Sequence, residues 1–377
     1  MSLGRLLAYV TLFLVAAVSV RGDDIDWNRA RELHRKASSG EKLTAEEQAY
    51  YDRARAERAK SQGAGPKSAP AAAASLGLVP LTDMTASDRY KGEDGGLYGG
   101  GRNEPPEAHR KAALDLARRI EPLDADGKPS KDGVIGLVSI GMSNTTQEYS
   151  EFMRLANRDA DKSPKVVLVD GAQGGMDSQA WATPKGNRNP WEVLDKRLQQ
   201  ANVSARQVQV VWLKQAHIAP AALGEYPKHA EKLAGDIELI LHGLAERFPN
   251  LRIAYLSSRI YAGNASTALN PEPFSYESAF AVRRLIQKQV AGDASLNFDA
   301  RNGAVRSPLL LWGPYLWADG VKGRKPDELV WLREDMAGDG THPGPSGQRK
   351  VAELLLKFFK TDETAKGWFV GAQSPSR

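Results

Sequence analysis

The chain has 377 residues, 41% hydrophobic and 26% charged, a composition that fits one large globular α/β domain with appendages, or two domains. Its net charge is +5, with the basic residues spread along the chain and no Lys/Arg block interleaved with aromatics, so nucleic acid is not an expected partner. Cysteine is absent, which excludes disulfides, thiolate metal sites and lipoprotein attachment.

Residues 1–22 read as a secretory signal. Arg5 supplies the charged n-region, residues 6–20 form an apolar h-region, and Val20-Arg21-Gly22 offers a cleavage site. The apolar run is shorter than the roughly 20 residues of a spanning helix. Cleavage is therefore expected, with no stable membrane anchor afterwards, and export to a bacterial periplasm or beyond. Residues 23–60 are dense in charge and alanine and predict a helical hairpin. Its second helix opens on Thr44-Ala45-Glu46-Glu47, which has the capping-box form. Residues 61–77, rich in Gly, Pro, Ala and Lys, predict a flexible linker.

The main domain is expected over 78–364, with 365–377 as a tail. It begins irregularly: Gly92, Gly95, Gly96, Gly99, Gly100 and Gly101 make the segment too glycine-rich for a strand or helix. Without a strand-then-helix context or a Walker lysine it is not a phosphate loop, and it reads as a loop packed on the domain. Regular alternation follows. Helix is predicted over 106–119, 146–157, 191–200, 226–248, 276–290 and 347–359, and strand over 134–140, 166–170, 208–213, 253–257 and 309–312. The strands are nearly continuous Val/Ile/Leu runs, as expected when helices cover both faces. Val351, Leu354, Leu355 and Phe358 share one face of the last helix. Five strands alternating with helices predict a doubly wound, flavodoxin-like parallel sheet in a three-layer α/β/α arrangement.

In such a sheet, ligands bind beyond the carboxyl ends of the strands. Strand one ends in Gly141-Met142-Ser143-Asn144, where Ser143 is either a nucleophile or a helix N-cap. Strand two is followed by Gly171-Ala172-Gln173-Gly174-Gly175, which offers backbone amides in a turn, or is a plain glycine turn. After strand three stand Lys214, Gln215 and His217. The Gln215 amide can donate to an oxyanion or cap backbone, and His217 can contact substrate or serve structure. Strand four is followed by a polar group that includes Asn264, and strand five by Tyr315 and Trp317, an aromatic wall able to stack on a sugar. Last comes Asp339-Gly340-Thr341-His342, in which a carboxylate can orient an imidazole as a general base.

Serine, glycine, amide and Asp-x-x-His at successive strand ends resemble the blocks of the SGNH (GDSL-like) hydrolase superfamily, over roughly residues 133–360. The resemblance implies an ester hydrolase without cofactor or metal. Ser143 would be nucleophile, His342 general base and Asp339 its orienting carboxylate. The Ser143 and Gly175 backbone N–H groups and the Gln215 side chain would be oxyanion donors. Asn144, His217, Asn264, Tyr315 and Trp317 are candidates to bind substrate. An acylated carbohydrate, its O-acetyl groups the leaving acyl, is the expected substrate class. The family's Gly-Asp-Ser is here Gly-Met-Ser, and its Gly-x-Asn block is replaced by Lys214-Gln215. The alternative reading is a non-catalytic binding or envelope-associated protein that keeps the fold. No Gly-x-Ser-x-Gly elbow and no His-Glu-x-x-His cluster is present.

Overall fold

The computed structural model describes residues 25–38, 43–63, 75–186, 189–325 and 327–371. The signal sequence and most of the expected linker lie outside the described residues. The chain divides into two compact units, Met1–Pro66 and Lys67–Arg377.

In the first unit, α1 (Trp27–Ser38) and α2 (Ala45–Gly63) form a hairpin. The Thr44 hydroxyl accepts from the Glu47 backbone N–H at 3.2 Å, and the Glu47 carboxylate accepts from the Thr44 N–H at 2.9 Å. That reciprocal pair satisfies two donors that the helix start would otherwise leave open. Arg29 lies over the Tyr50 ring at 4.4 Å.

The second unit opens with α3 (Glu107–Ala117) and then alternates strand and helix: β1 (Ile135–Gly141), α4 (Ser143–Ala156), β2 (Val166–Asp170), the short α5 (Ser178–Ala182), α6 (Pro190–Gln200), β3 (Val208–Lys214), α7 (Lys228–Arg247), β4 (Ile253–Leu256), α8 (Phe274–Val290), β5 (Leu309–Trp312), α9 (Pro345–Thr361) and α10 (Lys366–Phe369). All five strands are parallel, in the order β2-β1-β3-β4-β5. This is the flavodoxin-like order, in a three-layer α/β/α fold, and its reversal of direction falls between β1 and β3. Every residue of β1 and β3 is buried, the physical counterpart of their nearly continuous apolar runs. Helix α4 packs on α9, and α7 packs on α8. In α9 the residues turned fully inward are Val351, Ala352, Leu355 and Phe359; Leu354 and Phe358 are partly buried against the core.

Two segments differ from expectation. The residues after Thr364 are not simply a tail: Ala365, Trp368 and Phe369 are buried, and the Phe369 carbonyl accepts from Ser163 N–H at 2.8 Å. At the other end Ser75, Leu76 and Gly77, placed in the linker by sequence, are held by the buried Asp319 carboxylate, with the Leu76 N–H at 2.8 Å. The glycine-rich segment packs along the free edge of β5. Leu97 O accepts from Trp312 Nε1 at 2.7 Å, and Arg283 of α8 donates to Asp94 O at 2.6 Å. His109 and Gln289 bond the Leu310 backbone on the same strand. These contacts occupy an edge that could otherwise pair with another chain.

Candidate active site

Ser143 is the first residue of α4, directly beyond β1. The helix starts three residues before its predicted start because Met142, extended at φ −109°, takes the N-cap position. Met142 has no side-chain oxygen with which to cap the first turn, so Ser143 is neither the cap nor capped. Its backbone N–H stands at the helix N-terminus, where the partial positive charge lies. Gly141 makes this turn possible: a Cβ there would meet Thr145 Oγ1 at 2.2 Å and the Lys214 carbonyl at 2.5 Å.

The Ser143 hydroxyl lies 2.8 Å from His342 Nε2, and His342 Nδ1 lies 2.5 Å from Asp339 Oδ2. With a carboxylate on Nδ1, that nitrogen carries the proton, which leaves the Nε2 lone pair to accept from Ser143. Asp339 is itself fixed, its Oδ1 accepting from the backbone N–H groups of Thr341 at 3.1 Å and His342 at 3.0 Å. Burial opposes the Asp339 charge, but the donors from His342 and Thr341 outweigh it and hold the carboxyl below its usual pKa. Gly340 sits at φ +69°, and a Cβ there would stand 1.8 Å from the Asn264 carbonyl, so the loop needs glycine.

The other strand ends close around this chain of bonds. Gly175 turns at φ +74° in the loop after β2, which is tied to β1 by Gln173 N–H donating to Gly141 O at 3.1 Å. The buried Gln215 directs its amide at the Met176 carbonyl, 3.4 Å away, and so braces the same loop. A cavity of about 230 Å³ in the residues that follow is lined by Asp177, Gln179, Ala180, Thr183 and Lys185. Asn264 is half-buried against the Asp339–His342 loop.

Four residues singled out as substrate contacts are placed otherwise. Asn144 is 1% exposed, and its amide donates to Thr341 O at 2.9 Å, which ties the serine helix to the histidine loop. The His217 ring is enclosed between Ser178 and Asp236 of α7. Trp317 has no exposed surface: its indole N–H donates to Glu272 at 2.8 Å and its ring packs on Tyr276. Tyr315 is buried, its hydroxyl accepting from the Leu81 N–H at 3.1 Å. The residues after β5 are core, because residues 78–84 and α8 pack over them; they form no aromatic wall.

Sequence reasoning missed Glu148, Lys214 and Arg259, buried charges beneath the serine, and Asp170 at the end of β2. Asp170 accepts from Ser139 at 2.6 Å and from Thr146, which seats the first turn of α4 on β2.

No family model matches the sequence. A segment of 123 residues is 34% identical to the mouse (Mus musculus) mitochondrial serine/threonine-protein kinase PINK1, covering 32% of this chain and 20% of that protein. The chain thus spans a fifth of that relative's length, and it contains neither the His-Arg-Asp nor the Asp-Phe-Gly of kinases. Among solved structures, one similar chain is a Bacteroides fragilis protein assigned as an acylhydrolase, at 14% identity and TM-score 0.35, covering 67% of this chain and 96% of that one. A gut microbial diltiazem-metabolizing enzyme matches at 16% identity and TM-score 0.31, over 64% of this chain and 49% of its own. An extracellular lipase of Streptomyces rimosus matches at 11% and 0.29, over 60% of this chain and all of its own. Likenesses this distant carry no functional argument, which rests on the geometry of the site.

Proposed function

We propose that the protein is an exported serine esterase of the SGNH kind that removes O-acyl groups, acetyl foremost, from carbohydrate. The observation that carries this reading is the unbroken line from Ser143 Oγ through His342 Nε2 and Nδ1 to Asp339, at 2.8 and 2.5 Å. Ser143 Oγ bonds to the ester carbonyl carbon, its proton passes to His342 Nε2, and the carbonyl π pair moves onto oxygen. The resulting oxyanion is held by the Ser143 N–H at the start of α4, with the Gly175 N–H and the Gln215 amide as further donors. Collapse breaks the bond to the alcohol, which leaves with the proton from Nε2. A water then repeats the sequence on the acyl-enzyme and releases the acid.

Export rests on the N-terminal signal pattern. Carbohydrate as the alcohol rests on the family resemblance and on that exported setting. The test is release of acetate from acetylated polysaccharides and hydrolysis of short-chain acyl esters, by wild type and by Ser143→Ala. The variant is expected to lose at least about 10³-fold in kcat. Equal rates would end the reading.

A further inference from the structure

Beneath the serine stand three charged side chains that this mechanism does not use. Glu148 is five residues after Ser143 on the buried face of α4, Lys214 ends β3, and Arg259 follows β4. All three are within 1% of complete burial. Lys214 Nζ pairs with Glu148 Oε2. Arg259 donates from Nη2 to Thr341 O at 3.4 Å, next to His342, and from its backbone N–H to Ser278 Oγ at 3.1 Å. Its Nε and Nη1 make no hydrogen bond among the described residues.

The charges do not cancel. Burial raises the Glu148 pKa and lowers that of Lys214 to about 8, so each is pulled toward its neutral form. With one proton shared between them, on either partner, the Glu148–Lys214 pair carries no net charge. A guanidinium stays protonated, so among these three side chains Arg259 leaves one positive charge over. Glu148 of α4, Glu272 ahead of α8 and Asp339 of the histidine loop act on it favourably through space, Lys214 of β3 unfavourably. His342 in turn acts on Glu148, so the group lies within electrostatic range of the Ser–His–Asp line. A buried cation with two idle N–H groups lowers stability. Its Nη2 reaches the carbonyl of Thr341, the residue before the proposed base, and a fixed cation in a water-poor interior acts strongly over such a range.

We propose that Arg259 is an electrostatic positioning residue of this site: its buried charge, left uncancelled by Glu148 and Lys214, favours the oxyanion formed at Ser143, and its hold on Thr341 keeps the histidine loop against the serine helix. The inference rests on the esterase reading above.

The test compares Arg259→Met and Arg259→Lys, in the full chain, on the short-chain ester used for Ser143→Ala. Arg259→Met is expected to lower kcat at least about tenfold with KM within about twofold. Its melting temperature should equal or exceed that of wild type, since the pair it leaves behind is neutral. Arg259→Lys keeps the charge and should hold kcat within about threefold. A methionine variant with wild-type kcat overturns the inference. So does a lysine variant as slow as methionine, which would make Arg259 a tether to Thr341 alone. A methionine variant that melts well below wild type overturns the uncancelled charge, and the lysine variant still reads the charge effect on rate. If Ser143→Ala keeps the wild-type rate, the esterase reading fails first and this inference falls with it; with Ser143→Ala inactive, the Arg259 results bear on the inference alone.

Discussion

Two groups of serine, histidine and aspartate stand near the carboxyl end of the same sheet, and they are arranged differently. Ser143, His342 and Asp339 form a line, with the hydroxyl on one ring nitrogen and the carboxylate on the other, and Ser143 is only partly buried. Ser178, His217 and Asp236 form a triangle. Ser178 Oγ lies 3.1 Å from His217 Nδ1 and 3.3 Å from Asp236 Oδ2, and that same oxygen lies 3.5 Å from His217 Nε2. Here the serine hydroxyl also donates directly to the carboxylate, which closes the triangle, and Lys232 draws on Asp236 as well. Ser178 has no exposed surface, and burial lowers the basicity of His217. A line with an accessible end can pass a proton from a nucleophile to a base. A closed triangle ties α7 to the loops after β2 and β3. The residue types are the same; the closing bond from serine to carboxylate and access for a substrate separate them.

The two histidines break this comparison most directly. His342→Gln is expected to lower kcat for a short-chain ester by about 10³-fold or more. His217→Gln should leave kcat within about threefold and lower stability by about 1–3 kcal/mol, the usual penalty when buried polar partners are left unmatched. Rates on purified protein, with thermal melting alongside, check both. Similar losses of activity in the two variants would bring the triangle into the chemistry and undo the distinction.

Asp339→Asn sharpens the same point with a smaller effect. An amide at this position can offer its N–H₂ to Nδ1 and favour the wrong tautomer, so kcat should fall by about 10²–10⁴-fold with the loop intact. The stability of the loop gives an independent readout. The folded pKa of Asp339 is depressed, so its contribution is present above the unfolded value near 4 and is lost as pH falls through the lower folded value. Melting curves of Asp339→Asn should lack that acid-side loss. A variant with full kcat would remove the carboxylate from the mechanism.

Much of this was legible in the chain. The strands announce themselves because burial on both faces favours nearly continuous apolar runs, and Asp-x-x-His is local, so its two side chains meet in one turn. The serine's helix start was less legible: Thr145 and Thr146 look like capping residues, yet the helix begins at Ser143 because Met142 is extended. Tyr315 and Trp317 were read as a wall since no sequence pattern says whether residues after a strand face solvent or a neighbouring helix. Arg259 and Lys214 meet Glu148 only through the fold. One part of that cluster did have a signal. Asn144, Thr145, Glu148, Tyr149 and Phe152 share the inward face of α4, and a glutamate in such a stripe marks a buried charge in need of partners.

The smallest expected effect belongs to Ser178→Ala. The serine donates one hydroxyl bond to Asp236, and Asp236 keeps Lys232 and His217 when that bond is lost. The Ser178 backbone N–H still donates to Ala216 O at 3.1 Å, so the loop after β2 stays tied to the end of β3. What goes is the hydroxyl, with its contacts to Asp236 and to His217 Nδ1, about 1–2 kcal/mol, with kcat unchanged. Urea unfolding at constant m, beside steady-state rates, measures both. The opposite outcome would be informative in a specific way. Since Gly175 lies three residues before Ser178 on the same loop, a kcat lowered by more than about tenfold at unchanged stability would mean that the triangle sets the position of the Gly175 amide. The second cluster would then be a support of the first, and the two would differ in role while acting on one oxyanion.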